Sequence, residues 1–315
     1  MKKYIIKRLG SIFVTLLVLS FIIFALTQML PGNTAKFILG KFATPERMAV
    51  LEQQLGLNRP WYVQYVDWLT GFVTGDWGTS FRGGETVDKL VIPKAIHSFQ
   101  LAVLTLVTVV LISIPFGILG AVTHGSLPDR LVLVLSYLGI SIPTYVSGTM
   151  LLLLFGGPML SVFPAGGYVP LREGVVPWLQ HMALPVLSLV ILLTAHLMSL
   201  TRVEMIETLH SDYVRTARLK GLSELTVLGK HALRNSLLPT ITLLALDLGF
   251  LMGGIVVIEE IFAFPGLGRL IVHSIRHRDL PVIQMSMLIV AIVYTLSNFA
   301  ADLLYAYLNP RIDYE

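Results

Sequence analysis

The sequence predicts an all-α membrane protein with six transmembrane helices, an extracytoplasmic subdomain between the first two, and a cytoplasmic helix–bend–helix connection. Three observations predict it. Apolar residues make up 55% of the 315-residue chain and charged residues 13%, against about 45–50% and about 25% in soluble domains; so few charges do not cover a wetted surface. The apolar residues fall into runs of roughly 20 with almost no charge, a length that a bilayer demands and a soluble core does not. The lysines and arginines sit mostly between these runs, and the formal net charge is only +4, a distribution that reads as membrane topology and not as nucleic-acid binding.

The first apolar run, SIFVTLLVLSFIIFALTQML at 11–30, follows Lys2, Lys3, Lys7 and Arg8. It is longer than the roughly 7–15 apolar residues of a cleaved secretory signal and meets Pro31 instead of a small-residue cleavage site, so it reads as a span with its N-terminus inside. Residues 31–97 are mixed and glycine-rich, with Trp61, Tyr62, Trp68 and Trp77, and are expected outside the hydrocarbon. Within them TPERMAVLEQQLGL has helical spacing, Thr44 as N-cap before Pro45, and Gly56 near the end.

Four to five further spans are expected, near 99–122, 131–155, 179–201, 237–259 and 281–308. Pro185, His181 and His196 interrupt the third of these five, which is tolerable where neighbouring helices cover the freed backbone groups. The connections 123–130 and 202–236 and the tail after Pro310 then fall in the cytoplasm, both termini included. The chain divides on this reading into a first helix (1–30), an extracytoplasmic subdomain (31–97) and a five-helix core (98–315) that contains the connection 202–239. Arg202, Arg215, Arg218, Lys220, Lys230 and Arg234 suit the cytoplasmic side, although Arg269, Arg276 and Arg278 sit on the other.

Catalytic signatures are missing from the sequence: there is no HExxH, GxSxG or GxxxxGK[ST] pattern. With no cysteine, thiol nucleophiles, disulfides and Cys-ligated metals are excluded. His210, His231, His273 and His277 flank the spans without metal-ligand spacing and read as solvated interfacial residues. The informative segment is VEMIETLHSDYVRTARLKGLSELTVLGKHALRNSLLP, residues 203–239. Helix formers run to Lys220, Gly221 allows a left-handed turn, and Ser223 caps a second helix leading to Pro239. Val214, Ala217, Leu222, Leu225 and Leu228 are expected to give this element an apolar surface flanked by cations. From the residues alone, that surface fits either a groove on another protein or an anionic lipid face.

Inside the fifth span Asp247 stands in LLALDLGFLMGG. An ionisable residue within a span points to function or to a structural partner, because its burial in lipid is costly. Lining a substrate path and pairing with another helix are both open. Gly249, Gly253 and Gly254 on the same helix are expected to permit close packing.

YVRTARLKG at 213–221, followed by HALRNSLLP at 231–239, resembles the cytoplasmic loop signature of ABC-importer permeases in the dipeptide/oligopeptide (peptide/nickel) variant. The general pattern Glu-Ala-Ala, three residues, Gly, then an apolar-Leu-Pro end corresponds to Arg215, Thr216, Ala217, Gly221 and Leu237-Leu238-Pro239. Arg in the first place is usual in the peptide branch. The start IIKRLGSIFVTLLVLSFIIFALTQMLPG and residues 55–81 and 264–284 are similar to the same family, so the resemblance covers almost the whole chain.

The resemblance implies a permease subunit forming half of a translocation pathway in the bacterial inner membrane, not an enzyme. It also implies docking of Arg215, Thr216, Ala217, Gly221, Leu222 and Leu225 onto an ATP-binding subunit, a second homologous permease, and an extracytoplasmic binding protein. ATP and Mg belong to one or two partner subunits. Cargo in such a family ranges over dipeptides, oligopeptides, glutathione, nickel complexes, opines and oligosaccharides. Two rivals from the residues are a secondary transporter driven by protons through Asp247 and a membrane-embedded enzyme.

Overall fold

The computed structural model describes residues 2–29, 33–157 and 159–308; the expected cytoplasmic tail after Pro310 lies outside them. Among the described residues no strand forms, only an isolated antiparallel bridge between Thr79 and Thr86. The helices are α1 (Lys2–Gln28), α2 (Thr34–Leu39), α3 (Pro45–Gln54), α4 (Trp61–Thr74), α5 (Val87–Val122), α6 (Leu127–Ser141) and α7 (Thr144–Leu151). They continue with α8 (Val175–Leu209), α9 (Asp212–Leu219), α10 (Glu224–Thr226), α11 (Leu233–Gly254), α12 (Val256–Ile261), α13 (Leu267–His277) and α14 (Leu280–Leu308). Thr44 caps α3 as its sequence predicts, accepting from the Arg47 amide at 3.4 Å with Pro45 in the first turn.

Among the described residues four stretches are long and apolar enough to cross a membrane: Ile5–Gln28, Val87–Val122, Val175–Leu209 and Leu280–Leu304. A fifth exists if α6 and the stretch Thr144–Gly156 count as one span, but the two are bent by 97°. The cause is local. Pro143 forces the preceding Ile142 out of the helical region, to ψ 114. Residues 237–259, expected as a span, fold as parts of α11 and α12, which break at Ile255, and they are not among these stretches.

The chain forms two compact units, Met1–Ser98 with Pro265–Thr295, and Phe99–Phe264 with Leu296–Glu315. In the first, Phe21 and Phe24 of α1 meet Trp61, Tyr65 and Trp68 of α4 edge-on or tilted, and the Ser20 and Tyr65 hydroxyls lie 2.9 Å apart. A second cluster buries Val87, Val91, Leu267, Val282 and Met285 beneath Trp68, Phe72 and Trp77. Asp279 accepts from the Ser80 hydroxyl and, at 3.1 Å, from the Phe81 amide, which ties residues 80–81 to the turn before α14.

The second unit is organised around α8, which packs on α6, α7 and α11. Small residues let the helices close. A methyl group at Gly139 would lie 2.6 Å from the Ala195 side chain and 2.8 Å from the Ile191 carbonyl, and one at Gly117 would lie 2.7 Å from Thr201, so α6 and α5 approach α8 almost backbone to backbone. The close packing expected at Gly253 is not found, since its Cβ direction meets nothing within 4 Å.

Candidate docking element and transport path

Past Arg202, α8 continues to Leu209 and the chain turns at His210 and Ser211 into α9. This helix stops because Gly221 adopts φ +75, a conformation glycine takes without penalty. The Leu222 amide bonds back to the Ala217 carbonyl and the Gly221 amide to the Arg218 carbonyl, the paired bonds that close a helix on a left-handed residue. Ser223 then caps α10, accepting from the Thr226 amide at 3.4 Å. Arg218 spans the bend to Glu224 at 3.0 Å, and Asn235 donates to the Tyr213 hydroxyl at 3.1 Å. The second helix is not regular: residues Val227–Ala232 form a π-helical turn before α11, a feature that often marks functional sites.

The element has two faces. Val214, Ala217, Val227 and Ala232 are buried with Ala121 and Met205 in one apolar core, with Ile206, Leu209 and Leu228 packed against it. Val214, Ala217 and Leu228 therefore do not belong to the expected outer surface. Residues 214 and 217 lie one helical turn apart and face the chain's own core, so Ala217 supports the bend from within. The outer face carries Leu219 and Leu225, 81% and 84% exposed, with Leu222 and Tyr213 also exposed. Arg215, Thr216 and Gly221 are exposed, and the Thr216 hydroxyl is turned back onto the Asp212 carbonyl at 2.8 Å. The structure thus places Arg215, Thr216, Gly221, Leu222 and Leu225 on the open side, apart from Ala217.

Asp247 lies in the middle of α11. It is half-buried, and its Oδ2 is enclosed with no hydrogen-bond partner among the described residues. Phe250 and Leu246 beside it are exposed. An enclosed carboxylate oxygen with no donor is a polar group awaiting one.

Sequence reasoning misses a second charged cluster. Asp129, in the first turn of α6, holds Arg202 of α8 with both oxygens, one of them 2.9 Å from Nη2. Its Oδ2 also accepts from the Gly125 amide at 2.8 Å, and His124 Nδ1 is 3.2 Å from both partners. Both members of the pair are buried. Arg202 is therefore an anchored helix residue, not a loop cation. The two positions are 73 residues apart, and only their residue types hinted at the pair.

Residues 113–314 match the family model described as binding-protein-dependent transport system inner membrane component, and residues 1–93 match the N-terminal model of the same kind. The chain belongs to this family. It is 37% identical over 315 residues, the whole of both chains, to the glutathione transport system permease protein GsiC of Salmonella typhimurium strain LT2. Against the probable peptide ABC transporter permease protein y4tP of Sinorhizobium fredii strain NGR234 it is 35% identical over 311 residues, 99% of each. A crystal structure of an amino acid ABC transporter with histidines aligns with 71% of this chain and 94% of its own at 18% identity and a TM-score of 0.48, too distant to carry an argument. The protein is thus a multi-pass inner-membrane permease component of an ABC importer, working with another permease, an ATPase and a binding protein, and is not itself an enzyme. Full-length likeness to permeases decides against a proton-driven secondary transporter and a membrane-embedded enzyme.

Proposed function

We propose that the permease forms half of a pathway for glutathione, di- or oligopeptides or a related small solute, paired with a second homologous permease chain. One or two ATP-binding subunits, which hold the ATP and Mg, dock on the outer face of the 212–228 bend, and an extracytoplasmic binding protein delivers the cargo. The observation that carries the docking role is the exposed row Leu219, Leu222 and Leu225 around the Gly221 turn, flanked by Arg215, Arg218 and Lys220. Apolar side chains of this size, held out on a braced bend, suit a groove on a protein. The peptide-like cargo rests on the names of the relatives.

In this reading α11 is the sixth span; its polar start at Arg234 and Asn235 and its Asp247 lower its apolar character, which a helix shielded by other helices tolerates. Both termini and the bend lie in the cytoplasm, and residues 31–97 form the extracytoplasmic subdomain. Reporters fused near His210 and within 60–85 test the arrangement: the first is expected inside and the second outside, and finding both on one side refutes it. Asp247 lines the path, where its free oxygen meets a donor on the cargo. Asp247→Asn is expected to assemble normally while glutathione or dipeptide uptake changes at least several-fold; normal uptake removes Asp247 from the path.

A further inference from the structure

Four helices converge where α8 leads into the bend. Gly117 of α5 abuts Thr201, and a Cβ at Gly120 would lie 3.3 Å from the Arg202 side chain and 3.1 Å from Val132 of α6. Thr201 and Thr240 of α11 bring their hydroxyls to 3.3 Å. One turn further along α8, Met205 is fully buried in the apolar core that holds Val214 and Ala217 of α9. Helix α8 itself thus connects the two sites: Met205 packs against the bend, and Arg202, three residues earlier, holds Asp129 of α6.

The two contacts differ in kind. Close apolar packing sets how near two helices lie, whereas a buried two-point ion pair also fixes direction, because it does not separate without leaving both charges unpaired. Asp129 is further fixed by the Gly125 amide at 2.8 Å, in a turn where Gly125 adopts φ +82. The α5–α6 turn and the start of α6 are therefore gripped to α8 by a directional bond, in addition to the close packing of α6 on α8 at Gly139. Beyond α6 lies the 97° bend into Thr144–Gly156.

We propose that Asp129 and Arg202 are positioning residues for transport: they lock the α5–α6 turn to α8, so that displacement of the docking bend moves α6 instead of being absorbed at the α6–α8 interface. The proposal rests on the docking role assigned to the bend. Neither residue touches cargo or nucleotide; both act by holding α6 to α8.

The test exploits the absence of cysteine. Spin labels at Asp212→Cys and Leu138→Cys, both exposed, report the distance from α9 to α6 in the full complex, without nucleotide and with ATP trapped by vanadate. With the native pair the distance is expected to be the same in both states. In Asp129→Asn/Arg202→Met, which removes both charges together and leaves neither stranded, the distance is expected to shift on ATP trapping by about 2 Å, the scale of helix shifts in such transitions. Arg202→Lys, which keeps the charge but loses the two-point grip, is expected to fall between.

An unchanged distance in the double variant, with the ATPase subunit still bound, overturns the proposal and leaves the pair only satisfying its own burial. Loss of the ATPase subunit from both the double variant and Arg202→Lys overturns it too, by assigning the pair to assembly. The docking reading fails separately, if Leu225→Glu in the native background leaves the ATPase subunit bound.

Discussion

The two faces of the bend between α8 and α11 are treated in opposite ways by the same few residues. Val214 and Val227 are fully buried, while Leu219 and Leu225 are 81% and 84% exposed, although all four are apolar. The inner face is part of the permease core; the outer face is apolar surface that the described residues leave uncovered, on an element braced by the Arg218–Glu224 pair and the Asn235–Tyr213 bond. A rigid support under an open apolar face is what transmission of force to a second protein requires, because a floppy support would absorb the motion. The contrast also separates residues that hold the bend from those proposed to meet its partner.

The largest effect is expected on the inner face. Ala217→Asp places a carboxylate in the apolar core beside Met205, where an unpaired buried charge costs several kcal/mol. Membrane yield and assembly with the second permease should both fall, as read by co-purification. Normal yield would mean that this face is not core, and the contrast between faces would collapse.

Gly221→Val stands between the faces. No atom lies within 4 Å of the position a Cβ would take, so the penalty is only the left-handed backbone at φ +75, roughly 1–2 kcal/mol. Insertion and pairing with the second permease should survive. Stimulation of ATP hydrolysis by the loaded binding protein should weaken, because the bend no longer holds its angle. Wild-type stimulation in reconstituted complexes would show that the angle is not used.

Much of this contrast was open to sequence reasoning, and its failure at Ala217 is instructive. Thr44, Gly221 and Ser223 act locally, through a cap or a positive φ, and the structure finds them where the sequence puts them. The spans at α1, α5, α8 and α14 are long enough for composition alone to reveal them. Grouping Val214, Ala217, Leu222, Leu225 and Leu228 into one surface ignored the helical period. Residues 214 and 217 share a face, whereas residue 219 stands roughly 140° round the helix from 214. The turn at Pro143 carried a readable signal in the proline itself, but the apolar run continues across it. Nothing local marks the π-turn at 227–232 or the Asp129–Arg202 pair, since both depend on what folds against them.

The smallest effect on stability and the sharpest on function are expected at Leu225. Its exposed side chain touches little, so replacement should change stability by no more than about 0.5 kcal/mol. The most direct measurement is therefore co-purification of the ATPase subunit with a Leu225→Glu permease from membranes, normalised to the second permease. A charge in the partner's groove should reduce the retained ATPase subunit at least ten-fold while the two permeases stay together at wild-type ratio. Retention of the ATPase subunit at the wild-type level would contradict docking on this face.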